Sequence, residues 1–250
     1  MSGDRPVALI SGASRGIGAA TARLLGSRGH HVVVNYLSDR SAAEAVVKDV
    51  EAAGGTASAA RADVTDEGQV HALVDEHGPV DVLVCNANVQ PPIMVELPDL
   101  PWESFAAKVE RELAAAYLLT RRVLADMCPR RDGRIVYVSS IAGDMVGGGL
   151  AHGVAKAALN AFSRQVAAYA GRHGITVNTV SPGPVETVAV AELLSDAERE
   201  QIRRLTVRGR VTDPDDVARV IGVLVDDAAG QVTGQIIPVD GGLSLLRSQP

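Results

Sequence analysis

Short runs of β-branched residues alternate along this chain with longer stretches of helical character. Six runs predict strands, at residues 6–11, 31–36, 80–86, 134–140, 175–181 and 234–240, and a weaker run lies at 56–63. Helices are predicted between them, for instance at 16–28, 41–53, 103–127, 152–173 and 214–226. Most strand runs are almost continuously apolar, as in strands covered on both faces. The alternation predicts an α/β fold, a doubly wound parallel sheet of about seven strands with helices on both faces.

The chain is expected to form one domain over residues 1–250. It is 46% hydrophobic and 22% charged, which is ample for a substantial core. No internal repeat and no linker rich in Pro, Gly or Ser divides it. The least regular stretch, 184–213, follows a Pro-Gly-Pro and is interpreted as a mobile flap.

Charge and cysteine content exclude several classes of protein. The net charge is −6 and no basic stripe is present, so a nucleic-acid partner is not expected. No apolar stretch reaches the roughly 18 residues of a membrane helix, and no leader precedes Gly12. Cys85 and Cys128 suit a reducing compartment, and no CxxC or HxxxH pair predicts a metal site. A cytoplasmic protein is therefore expected.

A glycine-rich turn follows the first predicted strand and opens a helix. In "ISGASRGIGAATARLL", Gly12, Gly16 and Gly18 form a GxxxGxG pattern. Such glycines let the backbone turn sharply and approach a pyrophosphate, which the helix N-terminus then binds. In this strand–turn–helix context the pattern predicts a dinucleotide site on a Rossmann-type sheet.

The end of the second strand favours NADP over NAD. An NAD site usually offers a carboxylate there for the ribose 2′-hydroxyl. This chain instead has Asn35, Tyr36, Leu37 and Ser38, and Arg15 in the glycine turn is expected to reach the same spot. A cation without a competing acid favours a 2′-phosphate, although Asp39 lies close by.

Four motifs resemble the short-chain dehydrogenase/reductase family, especially its 3-oxoacyl-carrier-protein reductase-like members. They are "SGASRGIG" at 11–18, "ADVTD" at 62–66, "NTVSPGPVET" at 178–187 and "VTGQIIPVDGG" at 232–242. The resemblance covers nearly the whole chain. It implies a homotetramer built on helices 103–127 and 152–173, a substrate lid at 186–206, and contacts to the cofactor from Ser14, Ile17, Asp63, Val64, Asn86, Ala87, Lys156, Pro182, Gly183, Val185 and Thr187.

The catalytic positions that the resemblance implies depart from the family pattern. Lysine and serine persist as Lys156 and Ser140, with Ser139 as the alternative serine. The family's tyrosine, four residues before the lysine, is His152 here, and its catalytic asparagine aligns with Glu112. The asparagine-asparagine-alanine-glycine motif becomes Cys85, Asn86, Ala87 and Asn88. Asn tolerates a left-handed backbone, but the Asn88 side chain is expected to intrude on the cofactor.

His152 and Lys156 stand one helical turn apart, so their side chains share a face. At roughly 6 Å and an effective dielectric of about 20, the lysine lowers the imidazole pKa by about two units. His152 is then neutral and better placed as a base than as an acid. A carboxylate at Glu112 is expected to pair with Lys156 and to move that pKa back toward its free value.

Lysine is rare in this chain, which makes Lys156 notable. Only Lys48, Lys108 and Lys156 are lysines among the 24 basic residues. Arg and Lys are not interchangeable at a hydrogen-bonding site. Retention of lysine at this position indicates that the ammonium has a function.

Three functions remain open on the sequence. The first is an NADP(H)-dependent carbonyl reductase or alcohol dehydrogenase with an atypical site, for a small or acyl-type substrate. The second is a redox-silent isomerase, cyclase or lyase that uses His152 as its base. The third is a cofactor-binding protein without catalysis.

An apolar stripe on the helix at 152–173 gives a further argument for the homotetramer. It consists of Ala155, Leu159, Phe162 and Val166 at helical spacing, and the 103–127 helix carries a similar one. Left open on a monomer, such stripes would expose a large apolar patch.

Overall fold

A computed structural model describes residues 5–146, 149–187 and 195–247. Its seven strands form one parallel sheet in the order β3-β2-β1-β4-β5-β6-β7. Their bounds are β1 Val7–Ile10, β2 His31–Tyr36, β3 Thr56–Arg61, β4 Val82–Cys85, β5 Gly133–Val138, β6 Ile175–Pro182 and β7 Ile236–Val239. The predicted single α/β domain with a seven-stranded, doubly wound sheet is confirmed, and the weak run at 56–63 is the edge strand β3.

The helices cover both faces of this sheet. They are α1 Gly16–Ser27, α2 Arg40–Ala52, α3 Glu67–His77, α4 Trp102–Arg130, α5 Leu150–Ala170, α6 Asp196–Leu205, α7 Pro214–Leu224 and the short α8 Leu243–Arg247. All five predicted helices are present, while α3 was missed. The α3 sequence is polar and contains Gly68, but the Asp66 side chain caps it by accepting a hydrogen bond from the Gln69 N–H.

The interpretation of 184–213 as an irregular flap is wrong in part, because α6 lies within it. Ser195 and Glu198 form a capping box at its start, and this Ser-x-x-Glu spacing was readable in the sequence. None of its residues is buried, so the helix lacks the apolar stripe that would have revealed it. Of the lid predicted at 186–206, residues 188–194 lie outside the described residues.

Successive strand residues feed two separate cores, one on each face of the sheet. Leu9, Leu83 and Ile135 point to the face covered by α3, α4 and α5. Their neighbours Ile10 and Val84 point to the face covered by α1, α2 and α7. This double burial explains why the strand runs are almost continuously apolar.

The apolar stripe of α5 does not form an open face, which corrects the argument drawn from it. Ala155, Leu159 and Val166 are buried, and Phe162 packs against the same core cluster within its own chain. The outward faces of α4 and α5 instead carry Tyr117, half-exposed at 50%, and Tyr169 at 55%. A stripe at helical spacing identifies a buried face, but does not tell which molecule buries it.

Among the described residues, no helix combines the length and the apolar character that crossing a membrane requires.

Candidate active site

The glycine turn lies where the strand order changes direction, between β1 and β4. Crevices at the carboxyl ends of such neighbouring strands are where open α/β sheets bind ligands. Asn86, just after β4, donates from Nδ2 to the carbonyls of Ser11 and Gly12, at 3.0 Å each. The Ser11 hydroxyl in turn accepts from the backbone N–H groups of Asn86 and Ala87, at 2.9 and 3.0 Å. The two strand ends are thereby joined into one rigid cradle.

Glycine is required at this turn because other chain segments approach it closely. A Cβ on Gly18 would lie 2.6 Å from Asn86 Nδ2, and one on Gly12, whose φ is 62°, would lie 2.8 Å from Ala87 Cα. The α1 N-cap, Arg15, makes no side-chain hydrogen bond to the first turn, which leaves the N–H groups there for an anion. The residues present therefore fit the phosphates of a dinucleotide.

The end of β2 is built differently from what the sequence suggested. Asn35 is buried, and its amide accepts from the Gly12 N–H at 3.3 Å and donates to the carbonyls of Ala60 and Ala62. Tyr36 is buried in the core. The side chains of Asn35 and Tyr36 thus support the glycine turn from within the scaffold, and a contact of these residues with the cofactor stays a prediction. Ser38 is exposed and remains a predicted contact.

Positive charge surrounds this predicted ribose position. Arg15 is exposed and has no ion-pair partner within the described ranges. Arg61, which sequence reasoning missed, is paired in register with Tyr36, and its Nε donates to the Leu37 carbonyl at 3.1 Å. The Asp39 carboxylate caps α2 by accepting from the Ala42 N–H at 3.0 Å. Both arginines therefore lie by the crevice, while the acid is engaged elsewhere.

The predicted adenine and nicotinamide residues lie at the same edge of the sheet, after β3 and β6. Asp63 is partly exposed, and the hydrogen bonds from Thr65 lower its pKa. Val64, Pro182 and Val185 are buried, so only their backbone or a limited part of their surface is open to a ligand. A Cβ on Gly16 would lie 3.1 Å from Thr187 Cγ2, which brings the segment after β6 onto the glycine turn.

Ser140 lies on a 3₁₀ turn, Ile141–Gly143, that is pressed against α5. A Cβ on Gly143 would lie 2.9 Å from the carbonyl carbon of Lys156, and one on Gly153 would lie 2.9 Å from the Ala142 oxygen. The Ser140 hydroxyl accepts from the Ala142 N–H at 3.2 Å and keeps its own proton to donate. Ser139 is buried and donates to the Lys156 carbonyl at 3.4 Å, so Ser140 is the more accessible of the two serines.

Two lysines share one buried carboxylate beside this turn. Glu112 Oε1 accepts from Lys156 Nζ at 2.5 Å, and Glu112 Oε2 accepts from Lys108 Nζ at 2.9 Å. Burial raises the pKa of Glu112, but the two ammonium groups and their hydrogen bonds outweigh it, so the pKa is lowered and the carboxylate is charged. The expected pairing of Glu112 with Lys156 is present, yet sequence reasoning missed Lys108.

His152 precedes Lys156 by one turn on α5 and is half-buried. Burial lowers its pKa to about 4, helped by the charges of Lys156 and Lys108 and opposed by Glu112. The expectation of a neutral imidazole agrees with this, whereas the expectation that Glu112 restores the free value is wrong. Glu112 fails to do so because burial, the largest cause, and the charges of Lys156 and Lys108 together outweigh it. Nδ1 of His152 is buried without a hydrogen-bond partner in the described part of the chain.

Asn88 is exposed, and its amide oxygen is engaged within the chain, while its intrusion on the cofactor stays a prediction. Its Oδ1 accepts from Lys108 Nζ at 3.0 Å, so this end of the side chain is turned toward α4. Asn88 does not adopt a left-handed backbone, since Arg131 is the one non-glycine residue with positive φ among those described.

Nearby groups offer little additional chemistry. Burial raises the pKa of the Cys85 thiol to about 12, so Cys85 is a neutral, unreactive group. A cavity of about 10 Å³ behind Glu112, lined also by Ser11 and Cys85, has room for a single water. Over residues 5–146, 149–187 and 195–247, no cluster of three His, Cys, Asp or Glu side chains is arranged to hold a metal.

A parallel sheet with a phosphate-binding turn at its switch point, and a Ser–Lys pair at the same edge, defines a dinucleotide-dependent oxidoreductase fold. A family model described as enoyl-(acyl carrier protein) reductase matches residues 12–244. The chain belongs to the short-chain dehydrogenase/reductase family, an oxidoreductase family whose members use NAD or NADP.

Similar proteins act on carbonyls and alcohols of different kinds. A 3-oxoacyl-[acyl-carrier-protein] reductase of Synechocystis sp. is 37% identical over 243 residues, covering 95% of this chain and 96% of the relative. A cis-4-hydroxycyclohexanecarboxylate dehydrogenase of Sinomonas cyclohexanicum is 38% identical, with coverage of 94% and 95%. The crystal structure of a 3-oxoacyl-[acyl-carrier protein] reductase from Brucella melitensis superposes with a TM-score of 0.89 at 28% identity, covering 95% of this chain and 90% of that one.

The ionisation of His152 gives the first prediction. We expect its imidazole to stay neutral from pH 8 down to about pH 5 and to titrate near 4, because burial and two lysines oppose its charge. NMR titration of isotope-labelled histidine measures this, with the His152 signals assigned by their loss in His152→Gln. A titration midpoint at or above 6.5 would contradict the described electrostatics.

Proposed function

We propose that this protein is an NADP(H)-dependent oxidoreductase with a non-standard active site. It reduces the carbonyl group of a small or acyl-type substrate, or oxidises the corresponding alcohol. The observation that carries the proposal is the pair of close glycine contacts, in which Gly143 and Gly153 hold the turn that follows Ser140 against the helix that carries His152 and Lys156. In this proposal His152 replaces the family's tyrosine and Glu112 its asparagine.

Ser140, His152 and Lys156 have different roles around the substrate's carbonyl oxygen. A nicotinamide bound in the cleft would supply the hydride. The alkoxide formed would take its proton from the His152 N–H, and water would return a proton to the ring. The Ser140 hydroxyl donates a hydrogen bond to the substrate oxygen, and the neutral His152 ring donates a second from its N–H. Lys156 uses two ammonium protons on Glu112 and Val138, which leaves one for a ribose or substrate hydroxyl. The net positive charge of this group of lysines and glutamate favours negative charge on the oxygen.

His152 limits this chemistry because its pKa of about 4 leaves almost no imidazolium at pH 7. A neutral imidazole is a poor proton source, and a group with such a low pKa is also a weak base. The low pKa therefore weighs against the redox-silent function that needs His152 as a base. Redox-silent turnover and cofactor binding without catalysis are separate outcomes of the activity experiment.

For the activity, we expect NADPH consumption with a panel of ketones and 3-oxoacyl thioesters, and its near-complete loss in His152→Ala. We expect His152→Tyr to reduce simple ketones faster than the wild type, because general acid catalysis contributes about 10²–10⁴-fold. His152→Phe is the matched control, since it has the ring without the hydroxyl. Full activity in His152→Ala on the native substrate would overturn the role of His152.

The same assay separates the other functions. Product formation without net cofactor oxidation would identify a redox-silent enzyme. Cofactor binding without turnover, in both the wild type and His152→Tyr, would identify a non-catalytic protein. Glu112→Asn alone is unsuited to restoring a family-like site, because it leaves Lys108 and Lys156 buried together without their anion.

For the cofactor, we expect NADPH to bind more tightly than NADH. Arg15 is unpaired in the described structure, and the nearby Asp39 carboxylate caps α2. Calorimetric titration of both cofactors measures the preference, which Arg15→Ala should reduce. Arg23→Ala, on the same helix but paired with Asp49, is the control and should leave it unchanged. Equal affinities for both cofactors would refute the prediction.

For the assembly, we propose a homotetramer that buries the outer faces of α4 and α5. The supporting observation is that Tyr117, Val154 and Tyr169 are each between 42% and 55% exposed there. Light scattering at micromolar concentration should give four times the mass of the chain, and Tyr169→Glu should yield smaller species. Lys48→Glu, on the exposed side of α2, should not. A wild-type monomer would contradict the proposal.

A further inference from the structure

Lys108 is the most deeply buried charged group in the described structure, with a side chain that is 0% exposed. Its ammonium has three protons, and each has an acceptor. These are Glu112 Oε2 at 2.9 Å, Asn88 Oδ1 at 3.0 Å and the Gln90 carbonyl at 2.6 Å. Burial lowers the pKa of Lys108 while Glu112 raises it. The complete set of acceptors matches the protonated form.

The charges around His152 add up to a net positive value because Lys108 is present. The charged groups that act on the imidazole are Lys156 on its own helix and Lys108 and Glu112 on α4. Asp144, on the connection before α5, is engaged weakly by the Asn160 amide, at 3.4 to 3.5 Å. Two cations and one anion leave a net charge of one. Without Lys108, the negative charge of Glu112 would balance the positive charge of Lys156, and the net charge would be zero.

We propose that Lys108 is a positioning residue of this site, one that holds Glu112 and balances its charge so that Lys156 remains a working cation. The proposal deepens the proposed function and rests on it for the effect on rate. Lys108 acts through Glu112 and is not itself a catalytic residue. Its two other hydrogen bonds tie the segment after β4, at Asn88 and Gln90, to the same carboxylate.

Geometry distinguishes this role from that of an ordinary buried ion pair. An ordinary pair satisfies only its own two members, and is weak evidence for stability. Here each Glu112 oxygen serves a different lysine, so the position of Lys156 depends on that of Lys108. Asn88 provides the acceptor on the loop side, 20 residues away along the chain. Asn88, Lys108 and Glu112 therefore form one dependent set.

The test is a charge series in which the net charge of the set is changed stepwise. Lys108→Met brings it to zero, and Lys108→Gln does the same while keeping an amide that can donate to Gln90. Glu112→Gln brings it to two, and the double variant Lys108→Met with Glu112→Gln restores one. The readout is the NMR titration of His152 in the full chain, without any substrate.

We expect the His152 pKa to rise from about 4 in both Lys108 variants, to fall in Glu112→Gln, and to return to the wild-type value in the double variant. If Lys108 had a purely structural role, its substitution would lower the thermal stability, but the His152 pKa values of the variants would not follow this order. The same pKa in all variants would overturn the proposal. If Lys108→Met or Glu112→Gln does not fold, Lys108→Gln and the double variant decide, because their sets differ by one unit of net charge and so predict different His152 pKa values.

The rate supplies a second readout. We expect kcat for carbonyl reduction to drop at least tenfold in Lys108→Met and to recover when Glu112→Asn is added, with a smaller change in the KM for NADPH. Failure to recover would overturn the role of Lys108 in catalysis. If the wild type has no activity at all, the proposed function fails, and the His152 series still decides whether Lys108 sets the charge of the site.

Discussion

One carboxylate held between two ammonium groups organises the centre of this protein. Glu112 is buried under the cleft, where a single unpaired charge would be very unfavourable. With one lysine it would form a neutral pair, and Lys156 would have little positive charge to offer a ligand. With two lysines, both Glu112 oxygens have an ammonium partner, and the group keeps a net charge of one. This arrangement adds to the effect of burial in lowering the His152 pKa, and it ties the segment after β4 to α4.

Most of the fold was predictable because the sheet is buried on both sides. Strands covered on both faces are mostly apolar, so β1, β2, β4 and β5 stand out as nearly continuous runs. The edge strands β3 and β7 are only partly buried. Of the three helices that were not predicted, α3 buries only three side chains, α6 buries none, and α8 has only five residues, while α3 and α6 each begin at a capping side chain. Hydrophobic periodicity detects buried faces, and caps are a separate signal.

The site was predictable only where backbone geometry requires a particular residue. Gly12 and Gly18 could be identified because close contacts exclude any side chain. The hydrogen bonds of Asn35 and Asn88 within the chain were not predictable, because a polar side chain at a cleft can face the ligand or the scaffold, and spacing does not distinguish the two. Lys108 could be found only through its rarity, as one of three lysines in a chain rich in arginine. Its partners are distant in sequence, so no local pattern reveals them.

The reciprocal contacts of Gly143 and Gly153 make the turn after β5 and the start of α5 a single mechanical unit. Main-chain atoms, rather than the side chain at position 152, keep the two segments together. The side chain at position 152 is thus not needed to hold these two segments together, and a different proton donor can replace it without a change in the backbone. The acid–base group at position 152 can therefore be changed by substitution while the main-chain contacts that fix the start of α5 are kept.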